Sequence, residues 1–399
     1  MQLGSQLGEL TYCTNIHPGD TWTDVLTQLQ NTAPGVKLAV SPQHRLGLGL
    51  QLSAQMAEQL IAPAALASFQ SFLAAEDLYV FTVTGTSHDL ASKSAAYEPD
   101  WRSEARLRYT NQLAELLAAL LPTDGTRGSI TTLGGGLKAP LHDVPNAAEL
   151  LRDRLVRHAA YLYRLEEHGG QVIALALKPE PCCYLESTSD TLRFFKEWLF
   201  ADRSVVQFAG LTGASRGFSV DLLRRYLGVC LDACHAAVEF ESPTALVGQL
   251  REAGIDIKKL QLSAALRIPQ LGAQHLPALG AYHNPHSLQQ VVSQRANSLR
   301  HYQDLDEAIA ELQSRDAGPN EEWRVRYQVP IFLQHLQDFD STQDFLVTLL
   351  QQHQTAALSE HLEVATPTWP LLPAHLQSAI EDESIIRELQ WVKDTLHND

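Results

Sequence analysis

Four short apolar stretches of this chain end in, or contain, side chains that can hold a cation or move a proton. Leu227–Leu231 stops at Asp232, His235 follows three residues later, and Glu239 and Glu241 lie beyond. Val172–Leu177 leads into Lys178-Pro179-Glu180, with Glu186 close behind. Ile257–Leu262 carries Gln261 and is followed by Ser263 and Arg267, while His361–Val364 contains Glu363. A strand that delivers a carboxylate at its carboxyl end is how an α/β enzyme presents metal ligands or an acid–base pair. Glu180, Asp232, Gln261 and Glu363 together make an all-oxygen set, which suits Mg, Mn or another hard divalent ion and not a structural zinc. Three carboxylates in one mouth repel each other unless a cation or protons intervene. Taken singly, Asp232 reads equally well as a turn cap and His235 as the partner of a loop carbonyl.

These residues need elements to bring them together. Strand candidates at Leu10–Ile16, Val36–Val40, Leu78–Val83, Ser129–Leu133, Val172–Leu177, the run ending in Asp232, and Ile257–Leu262 alternate with helical stretches. Thr21 with Asp24 opens one helix as a capping box, Asn146 is an N-cap candidate for another, and Ser242-Pro243 starts a third. Regular strand–helix alternation implies a parallel sheet with right-handed crossovers. Seven such repeats before residue 265, with one or two after, favour a closed (β/α)8 barrel over an open doubly wound sheet. No G-x-G-x-x-G follows the first strand, and Gly134–Gly136 and Gly210–Gly217 lack the Lys-Ser/Thr of a phosphate loop. After residue 265 the pattern loosens. Pro269–Pro285 reads as an irregular loop, and either Val325–Leu333 or His361–Val364 closes the barrel. The expected organisation is one barrel over 1–399, with an irregular insertion at about 267–300 and a C-terminal segment at about 366–399. A barrel gathers its chemistry at the carboxyl ends of its strands, here Asn15, His17, Ser87, His88, Lys178, Glu180, Asp232, His235, Gln261, Ser263, Arg267 and Glu363.

Bulk properties exclude several classes. A net charge of −16 argues against a nucleic-acid surface and against an anionic membrane face. No run of 18 apolar residues is present, so no membrane insertion is expected. The start, MQLGSQLGELTYC, lacks the basic and apolar parts of a secretory leader, and five cysteines without C-x-x-C spacing fit a reduced, cytoplasmic protein.

The motifs carry a family resemblance. KPEPCCYLEST (178–188), LDACHAAVEFE (231–241) and IKKLQLSAALRIP (257–269) resemble the fifth, sixth and seventh strand motifs of the xylose-isomerase-like sugar isomerases and epimerases. That resemblance implies Glu180, Asp232, Gln261 and, in HLEVATPTW, Glu363 as ligands of a divalent metal (Mn, Mg, Fe or Zn). It implies Glu180 or Glu363 as the catalytic base beside a carbonyl. His17, His235, Lys178 and Arg267 are the expected substrate contacts. Together with LTYCTNIHPGDTW and HLEVATPTWPLLP, the motifs are similar to the EboE-type metabolite traffic family, which is tied to a gene cluster that moves precursors. This implies a small polar metabolite as ligand and other proteins of the cluster as partners, with or without isomerase chemistry. The alternative is a non-catalytic scaffold or carrier with a degenerate metal site. An endonuclease-like barrel is disfavoured by the charge. One departure stands out. Where that family carries a strand of the form H-F-H-V-P, this chain has Arg326, Tyr327 and Gln328, which puts a histidine-based metal site in doubt and makes Gln328 a candidate contact.

Overall fold

The computed structural model describes residues 1–4, 6–17, 19–86, 93, 95–284, 287–314, 320–377 and 381–397. Ser87 and His88 lie outside the described residues.

Eight parallel strands form the barrel: β1 (Glu9–Tyr12), β2 (Leu46–Leu52), β3 (Leu78–Gly85), β4 (Gly128–Leu133), β5 (Ile173–Lys178), β6 (Leu227–Asp232), β7 (Ile257–Leu262) and β14 (His361–Val364). They neighbour one another in the order β1-β14-β7-β6-β5-β4-β3-β2. The ring closes between β1 and β2 through a parallel bridge of Cys13 with Gly49, helped by the Thr11 hydroxyl donating to the Gly47 carbonyl at 2.7 Å. The chain is therefore a (β/α)8 barrel, and His361–Val364 is the strand that closes it.

One strand differs from expectation. Val36–Val40 is the last turn of the helix Trp22–Val40, and LGLGLQL (Leu46–Leu52) is the second strand. Glycines weaken a strand pattern in sequence, yet here they answer close packing. A Cβ on Gly47 would overlap the Phe81 ring, and one on Gly49 would overlap the Glu363 carboxylate. The Thr21–Asp24 capping box and the Ser242 cap are present, whereas Asn146 precedes its helix in a left-handed conformation without a capping bond.

The insertion is larger and more regular than the sequence suggests. Between β7 and β14 run β8 (Ala264–Ile268), β9 (Val291–Arg295), β10 (Ser298–Tyr302), β11 (Glu321–Val329), β12 (His335–Leu336) and β13 (Phe339–Ser341). They form a second, antiparallel sheet in the order β10-β9-β11-β8-β13-β12. Of the candidate strand at 325–333, residues 325–329 belong to β11 of this sheet and 330–333 to the turn after it, so it is not a barrel strand. β11 alternates buried and half-buried residues along its length, the period-two pattern of a sheet with two unlike faces. The short helix Ala233–Val238, directly after β6, packs on it: Cys234, Val238, Ala265 and Val292 cluster with Phe240, and Arg324 donates to the Ala237 carbonyl at 2.6 Å. The second sheet is thus seated on the carboxyl end of the barrel.

The C-terminal segment ends in the helix Glu381–His397, which lies against Trp22–Val40 and sends Lys393 to the Val40 carbonyl at 2.8 Å. All five cysteines are free. Among the described residues, no helix is long and apolar enough to cross a membrane.

Candidate functional site at the carboxyl mouth

Strand register explains how the expected residues meet. Asp232 on β6 is the Cα partner of Gln261 on β7, Gln261 of Glu363 on β14, and Glu363 of Thr11 on β1. Laterally paired residues of parallel strands point to the same face, so Asp232, Gln261 and Glu363 form one row. Glu180 joins it from the loop after β5. That loop is fixed by backbone bonds from Glu180 to Leu185 (3.1 Å), Leu185 to Gly134 (2.9 Å) and Tyr184 to Gly136 (2.7 Å). Gly134 is required there, because a Cβ would run into the carbonyls of Leu185 and Lys178.

Each carboxylate of the row already has a cation. Lys178 Nζ lies 2.7 Å from Glu180 Oε1 and 3.9 Å from Asp232 Oδ2. Arg326 reaches down from β11 to within 3.7 Å of the same Glu180 oxygen. Lys259, two residues before Gln261, sits 2.7 Å from Glu363 Oε2, and both side chains are wholly buried. Lys259 also donates to the hydroxyls of Thr84 at 2.9 Å and Thr82 at 3.3 Å. Burial opposes the charge of Lys178, but Glu180 and Asp232 outweigh it and hold the ammonium above its ordinary range. Burial would likewise raise the Asp232 carboxyl; Lys178, Arg326 and His235 reverse that and keep it below the usual carboxylate range. Both groups are therefore charged at neutral pH.

Both plain readings of Asp232 and His235 are realised. Asp232 Oδ1 accepts from the His235 backbone N–H at 3.2 Å and from the Ser263 hydroxyl at 3.0 Å. His235 Nε2 faces the Glu186 carbonyl at 2.7 Å. A carbonyl only accepts, so Nε2 carries the proton, and in the neutral ring Nδ1 is an acceptor. Nδ1 is buried without a partner among the described residues. So are Asn15 Oδ1, Gln261 Oε1 and Arg326 Nε. Buried polar atoms are almost always satisfied, and the exceptions call for an explanation.

The other expected contacts are placed differently. His17 is buried beside the Tyr12 hydroxyl, with Nε2 at 3.3 Å. Arg267, expected to touch substrate, lies on β8, where Glu322 at 2.9 Å and Asp344 at 3.3 Å hold it; it braces the second sheet. Glu186 is a brace as well, receiving the Cys182 N–H at 2.7 Å and the Gln290 amide at 2.9 Å, with Lys138 2.6 Å from its other oxygen. Gln328 shares a half-buried row of β11 with Arg326, and its carbonyl accepts from Thr368.

Two residues that reach these carboxylates were not among the expected contacts, although Arg326 stood out as a departure from the family strand. Lys259 is a lysine in a buried strand at the i−2 position of Gln261, which is the available signal for an inward charge. Arg326 is aimed by an irregularity of β11, whose pairing with β8 shifts between Val325 and Gln328. Such bulges redirect side chains next to sites.

The donor set does not fit a divalent ion. Glu180 and Asp232 share Lys178, Glu363 Oε2 is paired with Lys259 below the mouth, and Gln261 Oε1 and Glu363 Oε1 are buried without a hydrogen-bond partner among the described residues. Among the described residues no group of three His, Cys, Asp or Glu side chains is arranged to hold a metal. Mg, Mn, Fe or Zn expected on Glu180, Asp232, Gln261 and Glu363 would have to displace an ammonium ion first.

A cleft of about 750 Å3 opens at the opposite, amino end of the barrel, beside Gly128, Val172, Ile257 and His361. Its Arg127 pairs with Glu360 at 2.9 Å and its Lys258 with Asp256 at 2.6 Å. Among the described residues, none of the expected site residues lines it, and function in (β/α)8 barrels sits at the carboxyl end. We therefore place the site at the mouth.

No family model matches the chain, and no curated protein sequence matches it. By structure it is similar to a xylose isomerase-like TIM-barrel protein from Mycobacterium smegmatis in complex with magnesium, with TM-score 0.49 and 10% identity over 98% of this chain and 96% of that one. It is similar to a xylose isomerase domain protein from Planctomyces limnophilus, with TM-score 0.47 and 13% identity over 92% and 93%. It is also similar to the IOLI protein with a bound zinc atom, with TM-score 0.45 and 10% identity over 97% of each chain. The structural neighbours are thus xylose isomerase-like TIM-barrel proteins.

Proposed function

We propose that the protein binds a small polar metabolite, a polyhydroxy carbonyl compound or its acid, at the carboxyl mouth of the barrel. The observation that carries this reading is that several polar atoms on the elements around the mouth are buried without partners among the described residues, Asn15 Oδ1, His235 Nδ1, Gln261 Oε1 and Arg326 Nε among them. The oxygens and the neutral His235 ring nitrogen accept and Arg326 Nε donates, the complement of a ligand with several hydroxyls and a carbonyl or carboxylate oxygen. The resemblance to metabolite traffic proteins gives this binding a place, in which the barrel holds a precursor and passes it to other proteins of the same gene cluster. The test is a thermal-shift screen of short sugars, ketoses and hydroxy acids against the wild type and Gln261→Ala. Compounds that stabilise the wild type and not the variant support the reading. Compounds that stabilise both equally oppose a site at the mouth.

A second reading, isomerase or epimerase chemistry, is favoured by Glu180. It is held between two prolines on a fixed loop, with Lys178 at 2.7 Å and Arg326 at 3.7 Å ready to take up oxyanion charge. In this reading the Glu180 carboxylate accepts the proton from the carbon next to the carbonyl and the two cations stabilise the enediolate; isomerisation follows when that proton goes to the former carbonyl carbon and the hydroxyl proton passes to the former carbonyl oxygen, and epimerisation when the first carbon is reprotonated from its opposite face. Incorporation of solvent deuterium into a bound ligand, lost in Glu180→Gln, distinguishes catalysis from carriage.

A further inference from the structure

The cations at the mouth bear on what the fold can hold there. We infer that Lys178, seconded by Arg326, is the resident cation of this site, standing where an all-oxygen carboxylate set would otherwise hold a divalent ion, and that the barrel works without metal. The inference deepens the metabolite-binding reading, since the same mouth residues are at issue.

Three observations converge on it. First, Lys178 Nζ bridges Glu180 and Asp232, at 2.7 and 3.9 Å, so its charge occupies the space between two of the four expected ligands. Second, Arg326 adds a full positive charge from a separate sheet, 3.7 Å from the same Glu180 oxygen. An incoming divalent ion would meet two fixed like charges within a few ångströms, in a mouth where screening is weak. Third, the remaining carboxylate ligand is committed elsewhere, since Glu363 and Lys259 are wholly buried against each other. The two mouth carboxylates are balanced by the two mouth cations, and the inner pair balances itself. The repulsion among carboxylates that would call for a metal is therefore already relieved by the protein's own side chains.

The arrangement also predicts its own reversal. Without the two cations, Glu180, Asp232 and the unpartnered Gln261 oxygen would become an uncompensated anionic set able to take up a hard divalent ion. The experiment is Mn2+ binding to the full-length protein, read by calorimetry and by elemental analysis after desalting. The proteins compared are the wild type, Lys178→Met/Arg326→Met, and the same double variant carrying Asp232→Asn. Circular dichroism checks folding, and Lys178→Gln/Arg326→Gln replaces the Met pair if that pair fails to fold. The expected result is no stoichiometric Mn2+ on the wild type, a gain in affinity on the order of a hundredfold or more in the double variant, and loss of that gain with Asp232→Asn. Stoichiometric Mn2+ on the wild type would overturn the inference. So would a double variant that binds no better than the wild type, or a gain that survives Asp232→Asn. The metabolite-binding reading fails separately, in the thermal-shift screen with no metal added.

Discussion

Arg326 lies 3.7 Å from Glu180, although one belongs to the inserted antiparallel sheet and the other to a loop of the barrel. The contact brings the insertion up to the candidate site. Burial opposes the Arg326 charge, but Tyr97, Glu180 and Asp232 outweigh it and hold the guanidinium above its ordinary range. The bulge in β11 and the bond from the Arg326 N–H to the Gln290 carbonyl, at 2.8 Å, fix its direction. Gln290 in turn is tied to Glu186 on the loop after β5, so sheet and barrel hold each other at the mouth.

If this contact serves ligand binding, Arg326→Met weakens any metabolite that the wild type binds by about tenfold or more, equivalent to ~1.4 kcal/mol. Titration calorimetry of the two proteins measures it. Equal affinities would leave Arg326 only a structural tie.

The pair formed by Lys259 and Glu363 is expected to be structural. Both side chains are wholly buried, 2.7 Å apart, and removing one partner of such a pair leaves a charge stranded in the core, at a cost of about 3–5 kcal/mol. Lys259→Met is expected to lose stability in that range by denaturant titration. The double variant Lys259→Met/Glu363→Leu is expected to recover most of it, because a buried ion pair is often replaceable by apolar side chains of similar volume.

Two glycines give opposite expectations. A Cβ on Gly49 would overlap the Glu363 carboxylate, whereas one on Gly248, in the helix Pro243–Glu252, meets nothing within 4 Å. Gly49→Ala should destabilise by about 1–3 kcal/mol through overpacking. Gly248→Ala should stabilise by roughly 0.4–1 kcal/mol, by lowering the freedom of the unfolded chain. Urea midpoints of both variants check the pair.

Glu388 supplies a pH dependence. It is buried in the C-terminal helix and accepts from Thr366 at 2.7 Å, Trp369 at 3.1 Å and the Ile331 N–H at 3.3 Å. Burial outweighs these bonds and pushes its carboxyl up from 4.5 to about 7. The folded state therefore holds this proton more tightly than the unfolded chain. The associated stability is fully present below about pH 4.5 and is lost as pH rises through about 7, a change on the order of 3 kcal/mol. Unfolding free energy measured from pH 4.5 to 8 should fall less steeply in Glu388→Gln than in the wild type. Parallel slopes would contradict this role.

Much of the barrel was legible in the chain. The apolar runs at 173–178, 227–232 and 257–262 ended where their polar side chains suggested, and register then set Asp232, Gln261 and Glu363 side by side. The second strand was hidden because Gly47 and Gly49 answer distant partners, Phe81 and Glu363, which no local pattern reveals. The extent of the second sheet was hidden for a related reason. Its strands pair across long separations, β11 with both β8 and β9, so a loosened pattern read as loop. The charge state of the site was hidden as well. Carboxylates at strand ends suggest a metal until it is known that Lys178, Arg326 and Lys259 reach them.

The most direct measurement is a crystal structure of the protein soaked with a mixture of small polyhydroxy aldehydes, ketones and hydroxy acids. The account predicts ligand density at the carboxyl mouth, with polar contacts to Gln261 Oε1 and His235 Nδ1 and an oxygen beside Lys178 or Arg326. Density confined to the cleft between Arg127 and Asp256 at the opposite end, with the mouth closed to every compound, would contradict it.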